Sequence, residues 1–275
     1  MIDTHCHLTS QKFAGQVDQI IANANANGVH TLISVATGVQ DSVCAKGISH
    51  EYENVYFSAG IHPLYAEESR DWGQLREQLL KIGKDAKCVA WGELGLDRHY
   101  KEPPFKLQQQ LLENQIEFIE SQEADLKPII VHCRKAVKDL LPIFKSSHLT
   151  GERFVFHCFA EEAVDARKVL DFGAMISFTG VVTYKNATEV VDSARLVPLE
   201  RMMVETDAPY LSPEPVRLMR PNEPKNVRYV SNFLAKLKGL SAEDFEQTMD
   251  QNAITFFRLN KERGETDSQL DSESI

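Results

Sequence analysis

The chain has 275 residues, 43% hydrophobic and 25% charged, with 14 glycines and 11 prolines, the composition of an ordinary globular protein. Its 30 basic and 40 acidic residues leave a net charge of −10, which excludes a grip on nucleic acid through bulk positive charge but not contact with phosphates through bound cations. No apolar run reaches the roughly 20 residues of a membrane span, no signal peptide precedes Met1-Ile2-Asp3, and five cysteines without a repeated spacing point to a reducing, cytoplasmic setting.

Taken in chain order, short β-branched and apolar runs predict strands at Met1–His7, Thr31–Ala36, Val55–Ile61, Cys88–Gly92, Pro128–His132, Phe154–His157, Ala174–Phe178 and Met202–Glu205. Helical periodicity fills the intervals, as in Val17-Ile20-Ile21-Ala24, Leu107-Leu111-Leu112-Gln115-Ile116-Ile119 and Leu140-Leu141-Phe144. Gly28 and Gly173 each end a helix just before a strand. Strands apolar on both faces, alternating with helices, predict an α/β fold: one (β/α)8 TIM barrel over residues 1–259. An open doubly wound sheet is the competing architecture. Such sheets usually carry a glycine-rich phosphate fingerprint after the first strand, where this chain has His5-Cys6-His7. The segment 260–275 holds five acids, two bases and almost nothing apolar, and reads as an acidic, disordered tail.

Five of the nine histidines fall at the ends of the predicted strands: His5, His7, His62, His132 and His157. If each end presents about two positions, chance would place roughly half a histidine there, and strand C-termini are where barrels build active sites. Residues i and i+2 share a strand face, so His5 and His7 can hold one cation while Cys6 points away. Cys133 and Cys158, each next to a histidine, read as packed thiols. With His132, His157, Glu93 and Asp207 added from other strands, the set suits Zn²⁺, Mn²⁺ or a similar divalent ion better than Ca²⁺. Four histidines and two carboxylates exceed one tetrahedral site. Two ions about 3.5–4 Å apart, sharing a carboxylate, are the natural count.

The segments His5-Cys6-His7, Gly60-Ile61-His62-Pro63, Gly92-Glu93-Leu94-Gly95-Leu96-Asp97, Val131-His132-Cys133-Arg134, Phe156-His157-Cys158-Phe159 and Glu205-Thr206-Asp207-Ala208-Pro209 resemble the TatD family of metal-dependent deoxyribonucleases. The similarity runs from Met1 to about Leu259. It implies a (β/α)8 barrel, two divalent metal ions (Zn²⁺, Mn²⁺ or Mg²⁺) and hydrolysis of phosphodiester bonds in DNA, with RNA a further candidate and an exonuclease ahead of an endonuclease. Carried onto matching positions, it implies that His5, His7, Glu93 and Asp207 hold one metal. Glu93, His132 and His157 would hold the other, with Glu93 as the bridge. Two departures stand out. Arg98-His99-Tyr100 replaces a usual aromatic pair, and Val216-Arg217-Leu218-Met219-Arg220-Pro221 replaces a His-Arg-Gly-Lys stretch before Asn222. The cations have moved rather than vanished, which touches substrate preference more than chemistry.

Around this set, Asp207 is the candidate general base for the attacking water, and Glu93 joins it as catalytic through the bridge. Arg134 shares a face with His132 and is a candidate for a phosphate oxygen, with a rim salt bridge as the competing reading. Arg217, Arg220 and Lys225 lie in the loop after strand eight, a common phosphate-binding region, although each alone reads as a surface charge. His62 is a candidate for substrate phosphate or for supporting a ligand. Phe159 and Tyr210 are candidates for base stacking, with core packing as the alternative. Asp97 reads as a cap for the loop after strand four, and Gln40-Asp41 and Glu67-Glu68 read as solvated faces. The alternative function is hydrolysis of a carboxyl ester, lactone or amide on the same metal pair; a non-catalytic scaffold ranks below both. No membrane and no obligate protein partner are expected, and a monomer is the default.

Overall fold

Each of the eight apolar runs forms a strand: β1 (Ile2–Cys6), β2 (Thr31–Ser34), β3 (Val55–Ala59), β4 (Cys88–Asp97), β5 (Ile129–Arg134), β6 (Phe154–Phe156), β7 (Met175–Phe178) and β8 (Met202–Val204). The computed structural model describes residues 1–122 and 127–259, and it arranges these strands in one sheet in chain order. All neighbours are parallel. Beyond β8, Cys6 and Ala208 form a bridge, His7 N donates to Ala208 O at 2.7 Å, and Asp207 N donates to His5 O at 2.8 Å. Those contacts join the last strand to the first, so the sheet is a (β/α)8 barrel. The expected tail, residues 260–275, lies outside the described residues.

The helices α1 (Val17–Ala26), α2 (Val39–Glu51), α3 (Trp72–Gly83), α4 (Phe105–Glu120), α5 (Val137–Ser146), α6 (Ala163–Phe172), α7 (Thr188–Leu196) and α8 (Val227–Lys238) each follow a strand. A ninth helix, α9 (Ala242–Phe257), packs on β8 and β1. It is tied there by Asp250, which accepts from Ile2 N at 2.8 Å and lies 3.2 Å from the N-terminal ammonium. Among the described residues, no helix is long and apolar enough to cross a membrane.

The barrel interior is a core of its own: Ile2, Ile33, Val89, Ile130, Val155, Met175 and Met203, plugged by Ala253 and Phe257 of α9. Side chains alternate along a strand, so the position two residues beyond an inward apolar one also faces inward. Ile130 is thus followed by His132, Val155 by His157, and Met203 by Glu205. On β5 and β6 the pleat that buries the floor of the barrel also aims a histidine into the mouth, whereas register shifts in β1 and β4 bring in His5, His7 and Glu93 out of step with inward Ile2 and outward Trp91.

β4 departs from expectation by continuing through Glu93 to Asp97 instead of ending at Gly92. Its pairing with β5 is irregular between Trp91 and Leu94. Gly92 (φ +130°) and Gly95 (φ +152°) adopt conformations that a side chain rarely tolerates. A Cβ on Gly95 would stand 1.9 Å from the His132 carbonyl oxygen, and one on Gly92 would stand 2.5 Å from that of Ile130. The two glycines press β4 against β5 on either side of Glu93.

Candidate metal centre

Glu93, only 2% exposed, is the hub of the mouth. Its Oε1 lies 2.7 Å from both His132 Nδ1 and His157 Nε2. Its Oε2 faces the other side, 3.4 Å from His5 Nε2 and 3.9 Å from His7 Nε2. Asp207 Oδ1 completes that side, 3.1 Å from His7 Nε2 and 3.7 Å from His5 Nε2. One carboxylate therefore divides the donors into two sets, one per oxygen. The backbone of Asp207 is in the left-handed region (φ 55°), which turns its side chain inward just after the strand ends.

Ring tautomers test whether this donor set fits a cation. His7 Nδ1 donates to Val35 O at 2.8 Å, so in a neutral ring the Nε2 lone pair faces the Asp207 carboxylate. His132 Nε2 donates to Asp97 Oδ2 at 3.1 Å, so its Nδ1 lone pair faces Glu93. At both places two acceptors meet, which only a proton or a cation relieves. The residues fit a divalent metal. The charge balance agrees: burial lowers His7, His132 and His157, yet hydrogen bonds and charge from Asp207, Asp97, Glu93 and Glu205 raise all three, His7 to about 9. Burial would raise Glu93, but the neighbouring imidazoles, His157 foremost, hold it well below the carboxylate range.

His62 joins this cluster but differs in kind. Its Nε2 lies 3.1 Å from His132 Nδ1 and 3.4 Å from Glu93 Oε1. Its Nδ1 accepts from Leu64 N at 3.1 Å, so the ring proton sits on Nε2, pointing at the cluster. Burial and the nearby His132 push it down to about 4, which keeps the ring neutral. His62, Glu93 and His132 lie close enough to share a cation, but with its proton on Nε2 the ring is a donor toward Glu93 and His132.

Three carboxylates behind the cluster were not assigned roles there from the sequence. Asp97 does cap its loop, accepting from His99 N at 2.7 Å and Tyr100 N at 3.2 Å, but its other oxygen orients His132. Glu205 accepts from Cys158 N at 2.6 Å and Ser177 Oγ at 2.7 Å, and its Oε1 lies 3.4 Å from His157 Nδ1. Asp3 is fully buried and accepts from Thr206 N at 2.9 Å and Thr206 Oγ1 at 2.5 Å, binding β1 to the segment that carries Asp207. The signal for two of them was available: Asp3 lies two residues before His5, and Glu205 two before Asp207.

The model of TatD related DNases matches residues 2–258. The chain belongs to the TatD family. It is 38% identical over 266 residues to YcfH of Escherichia coli K12, an uncharacterized metal-dependent hydrolase, covering 96% of this chain and 97% of that one. It is 29% identical over 267 residues to the 3'-5' ssDNA/RNA exonuclease TatD of Klebsiella pneumoniae, covering 94% and 98%. The solved structure of YjjV, a TatD homologue from Escherichia coli K12, superposes with a TM-score of 0.86 at 29% identity, covering 94% and 98%. The protein is a metal-dependent hydrolase of the TatD family.

The remaining expected residues scatter around this TatD-family centre. Arg134 is exposed, forms no ion pair among the described residues, and lies 5.4 Å over the Tyr100 ring. Arg217 lies against Tyr184 (3.8 Å) and Glu214 (3.7 Å), Arg220 is exposed on the same loop, and Lys225 pairs with Glu223 at 3.0 Å. Phe159 is 2% exposed against Phe178, so it is core and unable to stack on a base. Tyr210, 47% exposed, stands 6.1 Å from the His7 ring. Cys6 and Cys133 are buried thiols, as expected; Cys158 is only partly buried, with its sulfur 3.3 Å from Thr179 Oγ1. Asp41 is half-buried and does more than face solvent: its Oδ2 accepts from Thr37 N at 2.8 Å and Thr37 Oγ1 at 3.1 Å.

Proposed function

We propose that the protein is a nuclease that hydrolyses phosphodiester bonds in DNA, with RNA as an accepted alternative, by an exonucleolytic route on single strands. The observation that carries this reading is the division of the donors by Glu93, which suits a pair of divalent ions, Mn²⁺, Mg²⁺ or Zn²⁺. The name of the Klebsiella pneumoniae relative supports the substrate class. His5, His7, Glu93 and Asp207 would hold one ion; Glu93, His132 and His157 would hold the other. When bound, such ions supply a hydroxide at neutral pH and neutralise the scissile phosphate, offsetting the repulsion expected from a net −10 protein.

The chain's own groups do the rest. Glu93 keeps the two donor sets in register. Asp207 faces the mouth, and its free oxygen takes the proton of the attacking water. His62 offers Nε2–H to a non-bridging oxygen. Arg134, on the His132 strand, contacts the same phosphate, while Arg217 and Arg220 meet the strand farther out. All these residues come from one chain, so a monomer is sufficient.

The deciding experiment incubates end-labelled single-stranded DNA, duplex DNA and RNA with the chelated protein resupplied with Mn²⁺, Mg²⁺ or Zn²⁺. A ladder of mononucleotide losses supports the reading, and mid-chain fragments would make the enzyme an endonuclease. Inert nucleic acid beside turnover of an aryl ester or lactone would replace this reading with the carboxyl-hydrolase one.

A further inference from the structure

A cavity of about 500 Å³ opens beside the metal-centre residues, between the loops that follow β1, β2, β3 and β8. That size lies within the usual range of about 300–1,000 Å³ for small-ligand sites. His7 forms part of its wall, so the cavity adjoins the cluster. Two tyrosines line it, and each stands edge-on to a histidine of the cluster. Tyr210 lies 6.1 Å from His7 at 70°, and Tyr65 lies 6.3 Å from His62 at 73°. Neither ring is core: Tyr65 is 45% exposed and Tyr210 is 47% exposed. Lys12, which no motif flagged, sits with its ammonium 4.3 Å over the Tyr210 ring. Two acids also line it, Asp41 and Glu68, the latter reaching over Gly38 at the start of α2.

We infer that this cavity is a nucleoside subsite for the terminal residue of a nucleic-acid strand. This rests on the nuclease reading above and deepens it. A flat base matches the two aromatic faces, which stack on any base without reading sequence. Lys12 meets the backbone where the strand enters beside His7. The two acids decide which part of a strand fits. A strand running through the cavity would bring its next phosphate against Asp41 and Glu68, whereas a chain end with a free hydroxyl brings none. The cavity therefore favours exonucleolytic cleavage from an unphosphorylated end.

The test uses the Mn²⁺-loaded full-length protein and single-stranded oligonucleotides labelled internally. Some carry an intact terminal nucleotide, some an abasic one, and some a terminal phosphate, each placed at the 3′ and at the 5′ end. The parent should digest from one end. At that end, loss of the base should raise KM about tenfold with little change in kcat. Tyr65→Leu and Tyr210→Leu should raise KM by a similar factor on the intact strand and add nothing on the abasic one. Tyr65→Phe and Tyr210→Phe should recover most of the KM lost in the leucine variants, which separates ring stacking from damage to the fold. A phosphate at that same end should slow the parent about fivefold, and Glu68→Gln should recover part of the loss. Equal penalties for the tyrosine variants on intact and abasic strands would overturn the subsite while leaving the nuclease intact, as would indifference to terminal phosphate. A parent that digests no nucleic acid under any metal would overturn the nuclease reading and the subsite with it.

Discussion

Asp97 Oδ2 accepts a hydrogen bond from His132 Nε2 at 3.1 Å, while its Oδ1 accepts from the backbone N–H groups of His99 and Tyr100. The carboxylate is thus held by its own loop and in turn fixes which His132 nitrogen faces Glu93. Burial would raise this acid, but the His132 hydrogen bond and the two backbone donors bring it to about 2. Removing such a support typically weakens metal binding about 10–100-fold. Asp97→Ala should lose affinity for Mn²⁺ in that range, measured by competition with a chelating dye, while the apo protein keeps its circular dichroism spectrum. Unchanged affinity would reduce Asp97 to a loop cap.

Metal uptake should also release protons. Burial lowers the His7 imidazole, but Asp207 and Glu93 raise it to about 9, so near pH 7 the metal-free protein holds a proton there. A cation must displace it, so apparent affinity rises with pH up to about 9 and falls below it. Calorimetric titration with Mn²⁺ in buffers of different ionisation enthalpy should count at least one proton released near pH 7. A buffer-independent enthalpy would contradict the protonated state assigned to His7.

The bridge is tested by occupancy. Glu93→Ala removes the oxygen facing His132 and His157 together with the one facing His5 and His7. Elemental analysis after dialysis should find both ions depleted. His132→Ala should deplete one and leave the set around His7 and Asp207 filled. Equal depletion in the two variants would mean that Glu93 is not shared.

Much of this centre was legible because it is written along strands. His5 with His7, His132, His157, Glu93 and Asp207 all lie where an apolar run ends; the pleat aims His132 and His157 inward, while register shifts in β1 and β4 and the left-handed backbone of Asp207 bring in the others. Asp97 was read only as a cap because its second contact depends on how β4 slides along β5. That register, Gly95 beside His132 and Asp97 beside Arg134, is set by two glycines whose backbone angles no periodicity reveals. Asp41 hides a second contact for a related reason. A charged residue in a polar stretch reads as solvated until the chain bends it back onto Thr37.

Those glycines offer a direct link from backbone to site. Gly95→Ala would drive a methyl group to within 1.9 Å of the His132 carbonyl oxygen at a φ of +152°. The strand must move away, and a misfit of this kind costs on the order of 3 kcal/mol or more. Thermal unfolding of the apo variant should fall by several degrees, and Mn²⁺ binding should weaken with it. Gly47→Ala, where a Cβ meets nothing within 4 Å, is the control and should leave both unchanged or slightly improved. A native melting temperature in Gly95→Ala would show that β4 can reach its register without the glycine.

Asp207 is both a candidate ligand and the candidate base, and an Asp207→Asn variant separates the two. The amide keeps the shape and one coordinating oxygen but loses the charge and the ability to accept a proton. Metal affinity should fall only in part, since His5, His7 and Glu93 remain on that side. Turnover of single-stranded DNA should fall further, by about 10²–10⁴-fold if proton transfer is lost. Rates are therefore compared at saturating Mn²⁺, with occupancy measured on the same sample. A rate that stays low with both sites filled assigns the proton to Asp207. Lost aim of the attacking water is the competing cause, and Asp207→Glu addresses it, because a longer carboxylate keeps the base but spoils the position. If Asp207→Glu recovers more activity than Asp207→Asn at equal occupancy, basicity outweighs placement. If filling both sites in Asp207→Asn restores most of the rate, Asp207 is a ligand and the base lies elsewhere in the mouth.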